Sequence, residues 1–224
     1  MLRIKYLSLF LIVLILVGSI QIRAESVVYN SNVHAGKKIA LTFDDGPHPK
    51  ITPEILDILN KYSVKATFFV VGINVKNYPK RLEEILENGH EIGNHTYSHS
   101  ILKSMSREKI EKEIVDTEKQ INKISEYDLN LLRPPCGLYD DTLEEIAKER
   151  ESKIVLWAID TLDWAHTSTN VMVKKVLKNV KDGDIILFHD YVSGEYNTPK
   201  ALEFLIPTLL EMGYEFVTVS ELLQ

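Results

Sequence analysis

From Lys38 onward, short runs of apolar, β-branched and aromatic residues alternate with amphipathic helical stretches, and few folds accept that pattern. Lys38–Phe43 (KIALTF), Ala66–Val71 (ATFFVV), Glu91–Asn94, Leu131–Arg133, Ile154–Ile159, Asp184–Phe188 and Glu215–Val219 read as strands. Several are apolar at successive positions, so both faces must be covered. The segments between them carry a helical period. Ile55, Ile58, Leu59 and Tyr62 repeat at i, i+3, i+4 and i+7. Further helices are predicted over Pro79–Asn88, Ser106–Ser125, the stretch ending at Lys148, Thr169–Val180 and Thr198–Met212, the last kinked at Pro207. Thr52-Pro53 predicts a threonine N-cap followed by proline at the first helical position, and Thr198-Pro199 opens the last of these helices. Thr142 and Glu145 are spaced as a capping box. About seven βα units of this kind predict a parallel sheet covered by helices. The sheet closes as a barrel or stays open and doubly wound. In both, ligands bind at the carboxyl ends of the strands.

The N-terminal residues have a different character. Arg3 and Lys5 precede an almost wholly apolar run, Tyr6–Ile22, and the small residue Ala24 follows. Residues 1–24 therefore read as a secretory signal peptide or, uncleaved, as an N-terminal anchor. Residues 25–37 read as a short polar stem and residues 38–224 as one domain. Either fate of the first segment places the domain outside the cytoplasm, with membrane contact only through that segment. Lys+Arg number 26 against 32 Asp+Glu, a net charge of −6 that disfavours nucleic acid as a partner. The single cysteine, Cys136, excludes an intramolecular disulfide.

The unusual polar residues sit where the carboxyl ends are expected. Asp44-Asp45-Gly46 follows the first strand, His95-Thr96-Tyr97-Ser98-His99 the third and Arg133-Pro134-Pro135-Cys136-Gly137 the fourth. Asp160-Thr161-Leu162-Asp163-Trp164 follows the fifth, and Leu187-Phe188-His189-Asp190 ends the sixth. Two imidazoles four apart can face one ion if the segment turns helically. With one aspartate from the first strand they make three protein ligands and leave a position open, as in catalytic rather than structural metal sites. One of Asp44 and Asp45 then binds metal while the other serves as base. Arg133, held extended before two prolines, can pair with a buried carboxylate. His189 near Asp163 is a candidate general acid.

These segments, in this order, resemble the polysaccharide deacetylase family, also called the NodB-homology domain or carbohydrate esterase family four. The resemblance rests on T-F-D-D-G, H-T-x-x-H, R-P-P-x-G, D-x-x-D-W and L-F-H, and covers roughly Lys37 to Gln224. It implies a distorted (β/α) barrel and removal of acetyl groups from N-acetylglucosamine-containing glycans or from acetylated xylan. It implies a divalent metal, usually Zn2+, on Asp45, His95 and His99. Asp44 would be the base, Arg133 its orienting partner, and His189 the acid tuned by Asp163. Trp164 and Leu187 would shape an acetyl pocket. The variable place in R-P-P-x-G is often aromatic in the family; here it is Cys136, whose backbone N–H would help hold the oxyanion.

Overall fold

The computed structural model describes residues 27–191, 194 and 196–224. The expected signal peptide or anchor at residues 1–24 lies outside the described residues. Among the described residues no helix is long and apolar enough to cross a membrane.

The strands are β1 (Val28–Tyr29), β2 (Lys38–Asp44), β3 (Thr67–Val70), β4 (Glu91–Asn94), β5 (Leu131–Leu132), β6 (Lys153–Val155), β7 (Ile159–Asp160), β8 (Ile185–His189) and β9 (Glu215–Phe216). The helices are α1 (Ile51–Lys61), α2 (Gly72–Asn77), α3 (Pro79–Glu87), α4 (Arg107–Ile121), α5 (Asp141–Glu149), α6 (Thr169–Asn179), α7 (Thr198–Glu211) and α8 (Val219–Leu222). The strands pair in parallel in the order β1-β6-β5-β4-β3-β2-β8-β7, and β9 adds to the start of β2.

Chain connectivity forces this sheet to curl. Only residues 156–158 join β6 to β7, a link that spans at most about 14 Å. In a flat sheet with strands ~4.8 Å apart, β6 and β7 would lie about 29 Å from each other. The fold is thus a distorted (β/α) barrel, as the family resemblance implies. Ile154–Ile159, expected as one strand, is divided because its two halves have different neighbours. β6 pairs with β5 and β1, and β7 pairs with β8.

Side-chain alternation sorts each strand into two layers. Ile39, Leu41, Phe43, Phe68, Val70, Ile186 and Phe188 face the helices in the main core. Ala40, Phe69, Val155 and Ile185 belong to a second cluster on the other face, the barrel interior. The polar residues Thr42, Asp44 and His189 share that inward parity. α1 buries Ile51, Ile55, Leu56, Ile58 and Leu59 against the outer layer, each contributing roughly 1.5–3 kcal/mol.

Several local expectations change. The stem contains β1, whose Val28 and Tyr29 pair with Ile154 and Val155. α5 is capped by Asp140, which accepts from the Leu143 N–H, so the Thr142–Glu145 capping box does not form. The final strand ends at Phe216, where a capping box from Thr218 and Glu221 starts α8 instead. Thr52 is not an N-cap but lies inside the first turn of α1, whereas α7 opens at Thr198 as expected. α2, which the sequence pattern did not suggest, begins at Gly72.

Candidate active site

β2 delivers Asp44 into the barrel interior, and the chain then turns at Asp45, where φ is 76°. In an extended strand the two side chains would point to opposite faces. The left-handed turn instead lets both line one cavity of about 420 Å³, together with His95, His99, Cys136, Trp157, Asp160, Trp164, Leu187 and His189. The Asn74 amide holds the Asp45 carbonyl at 2.7 Å.

His95 follows β4 and is buried. Its Nδ1 lies 2.7 Å from the Arg133 carbonyl oxygen, which can only accept, so Nδ1 carries the proton. Nε2 is left with its lone pair facing Asp45 Oδ1 at 3.4 Å, and His99 Nε2 is 3.1 Å from the same oxygen. The pair was expected on a helical turn; the segment is irregular, with Thr96 at φ 68° and His99 at φ 57°. Glu113 of α4 clasps it, accepting from the N–H groups of Tyr97 and Ser98 and from the Ser98 hydroxyl.

The donor atoms of Asp45, His95 and His99 all lie within 4.8 Å of one another. Asp45 Oδ1 is buried without a hydrogen-bond partner. An orphaned carboxylate oxygen facing two imidazole nitrogens fits a divalent cation, with one side left open to the cavity. Burial alone would raise the Asp45 carboxyl, but His95 and His99 outweigh it and hold the group well below the usual carboxylate range. His99 is raised in turn, chiefly by Asp45.

Arg133 is fully buried, its guanidinium 4.0 Å from the Phe69 ring centroid. It donates to Asp44 Oδ1 at 2.7 Å, Thr42 Oγ1 at 2.8 Å, and the Val155 and Leu156 carbonyls at 3.0 Å. Burial pushes the guanidinium down from its ordinary value and Asp44 works against that. Across the cavity, buried Asp163 accepts from His189 Nδ1 at 2.7 Å, the His189 N–H at 2.7 Å, the Trp164 N–H at 2.9 Å and Thr198 Oγ1 at 2.8 Å. The His189 proton is therefore on Nδ1 when the ring is neutral. Burial lowers His189, but Asp163 first, then Asp44 and Asp45, raise it to about 9.

Cys136 sits in a short 3-10 turn with φ 57°, its thiol exposed. Leu187 is buried, whereas Trp164 is 53% exposed at the cavity mouth. Every residue singled out from the sequence thus lies in or directly against one cavity. Sequence reasoning assigned no part to Thr42, Glu113, Trp157, Thr198 or Asp190. Trp157 was open to strand alternation, two residues beyond inward-facing Val155. Thr198 was read only as the start of a helix. Asp190 is fully buried, and burial pushes its carboxyl up to about 7 against a hydrogen bond from Thr52.

Residues 31–155 match the polysaccharide deacetylase family model. A peptidoglycan-N-acetylglucosamine deacetylase of Bacillus cereus is 44% identical over 190 residues, covering 84% of this chain and 89% of that protein. A solved peptidoglycan N-acetylglucosamine deacetylase superposes with a TM-score of 0.85 at 36% identity, covering 88% of this chain and 92% of that one. A family 4 acetyl xylan esterase from Clostridium thermocellum, solved with a cobalt ion, gives 0.76 at 40% identity, covering 82% and 89%.

Proposed function

The chain belongs to the polysaccharide deacetylase family, and from that membership we propose an exported, metal-dependent N-deacetylase. It releases acetate from N-acetylglucosamine units of a glycan, peptidoglycan ahead of chitin oligomers. One observation carries the reading: the Asp45–His95–His99 donor set opens into the same cavity as Asp44 and His189.

An amide carbonyl is a poor electrophile and an amine a poor leaving group. Asp45, His95 and His99 would hold a divalent cation, Zn2+ by the family resemblance, and that ion would supply Lewis acidity there. Asp44, fixed by Arg133, takes the proton of the attacking water. The Cys136 N–H would stabilise the developing oxyanion, where a preorganised donor is worth most. His189, oriented by Asp163, protonates the departing nitrogen. Leu187 and Trp164 flank the acetyl methyl. An O-acetyl esterase working through the same residues is the second reading, favoured by the likeness to the acetyl xylan esterase.

The test is acetate release from peptidoglycan, chitooligosaccharides and acetylxylan, before and after chelation and on Zn2+ return. The expected result is metal-dependent release from the N-acetylated glycans. Full activity in stripped protein refutes metal dependence. Release from acetylxylan alone selects the esterase, and release from none refutes both.

A further inference from the structure

Asp190 follows His189, is fully buried, and takes no part in the steps above. A buried carboxylate is costly unless its surroundings hold it. Its Oδ2 accepts from Thr52 Oγ1 at 2.5 Å. The same hydroxyl accepts from the His48 N–H at 2.7 Å, so its proton is committed to Asp190. The Asp190 N–H bonds the Asp44 carbonyl at 3.1 Å. A Cβ on Gly46 would collide with both carboxylate oxygens. Gly46 is not among the positive-φ residues, so close approach to Asp190, rather than backbone conformation, demands glycine there. Asp190 thus grips the Asp44-Asp45-Gly46 turn on one side and the first turn of α1 on the other. The turn it grips aims Asp45 Oδ1 at His95 and His99.

We propose that Asp190 is a positioning residue for the metal site, acting with Thr52 to fix the turn that presents Asp45. This rests on the functional reading above. Thr52→Val removes the hydroxyl and keeps the shape, Thr52→Ser keeps the hydroxyl, and Asp190→Asn keeps the volume while replacing one carboxyl oxygen with an NH2 group. Each variant and the wild type is stripped with chelator, checked for a cooperative thermal transition, and titrated with Zn2+ against a chromophoric chelator. The visible spectrum with Co2+ reports ligand geometry. Asp190→Asn and Thr52→Val should fold, bind Zn2+ about tenfold more weakly or worse, and alter the Co2+ spectrum. Thr52→Ser should match wild type. Unchanged affinity and spectrum in folded Asp190→Asn or Thr52→Val overturn the proposal. If Asp190→Asn does not fold, the Thr52→Val and Thr52→Ser pair decides. A wild type that binds no metal overturns the functional reading together with this one, whereas normal binding in wild type and variants alike overturns this one alone.

Discussion

Asp44 and His189 are direct register partners across the parallel β2–β8 pair. Both face the barrel interior, so the proposed base and acid stand side by side on rigid strands. Their partners make them different. Asp44 receives a buried guanidinium at 2.7 Å, and His189 a buried carboxylate at 2.7 Å. Asp44 thus accepts from a fixed cation while its neighbour donates to a fixed carboxylate, an asymmetry of partners that suits one to accept a proton and the other to give one.

Asp44→Asn tests the base. The amide keeps the size and can still accept from Arg133, but cannot take a proton from water. The folded variant should retain metal and lose turnover by about 10²-fold or more. Loss of metal instead would mean that the two aspartates have exchanged roles.

Arg133→Met separates stability from metal binding. It leaves Asp44 buried without its cation, a change that costs about 3–5 kcal/mol. The melting temperature should fall by on the order of 10 °C. His95 is held by the backbone carbonyl of residue 133, not its guanidinium, so folded variant should still bind metal. A melt within about 2 °C of wild type would show that Asp44 finds other compensation.

Much of this site was legible in the sequence because strand ends and strand parity are. Asp44, His95, Arg133, Asp163 and His189 lie at or just past apolar runs, and a parallel α/β layout brings such ends together. What failed was local. Thr52 precedes a proline and so mimics a helix cap. In the folded chain its hydroxyl serves Asp190, a buried aspartate distant in sequence, a long-range demand that overrides capping preference. His95 and His99 meet without a helix because two left-handed residues and Glu113 shape the loop, and neither feature has a periodic signature. The split of Ile154–Ile159 reflects barrel closure, which depends on which strands pair.

Cys136→Ser tests the backbone assignment. The proposed oxyanion donor is the N–H of residue 136, which survives the change. Activity and metal content should stay within about threefold of wild type, since only side-chain packing differs. A large loss, or metal that follows the thiol, would make the Cys136 side chain part of the site.

The pH profile tests Asp163. His189 is raised from 6.5 to about 9 because Asp163, with Asp44 and Asp45, outweighs burial. A raised basic group lends stability that is fully present below 6.5 and lost as pH rises through about 9. Activity follows the same sign, since the acid must be protonated. A cation on Asp45 cancels part of the upward push, so the working basic limb falls below the metal-free value. Asp163→Asn removes the largest favourable partner and should move that limb to lower pH in kcat/KM profiles. A limb that does not move belongs to another group.

The leaving group tests His189 itself. An amine departs badly without a proton, whereas an aryl oxide departs readily on its own. His189→Ala should therefore cripple deacetylation of N-acetylglucosamine oligomers and spare much more of the hydrolysis of an activated aryl acetate. Asp163→Asn should show the same pattern more weakly, because it orients and charges the imidazole without touching substrate. The measurement is kcat/KM on both substrates for wild type and each variant, with metal content checked so that a lost ion is not mistaken for a lost acid. His189 is absent from the metal-donor set, so its removal should leave metal bound. Equal losses on amide and ester, with metal retained, would mean that His189 acts in a step common to both substrates, before the C–N bond breaks.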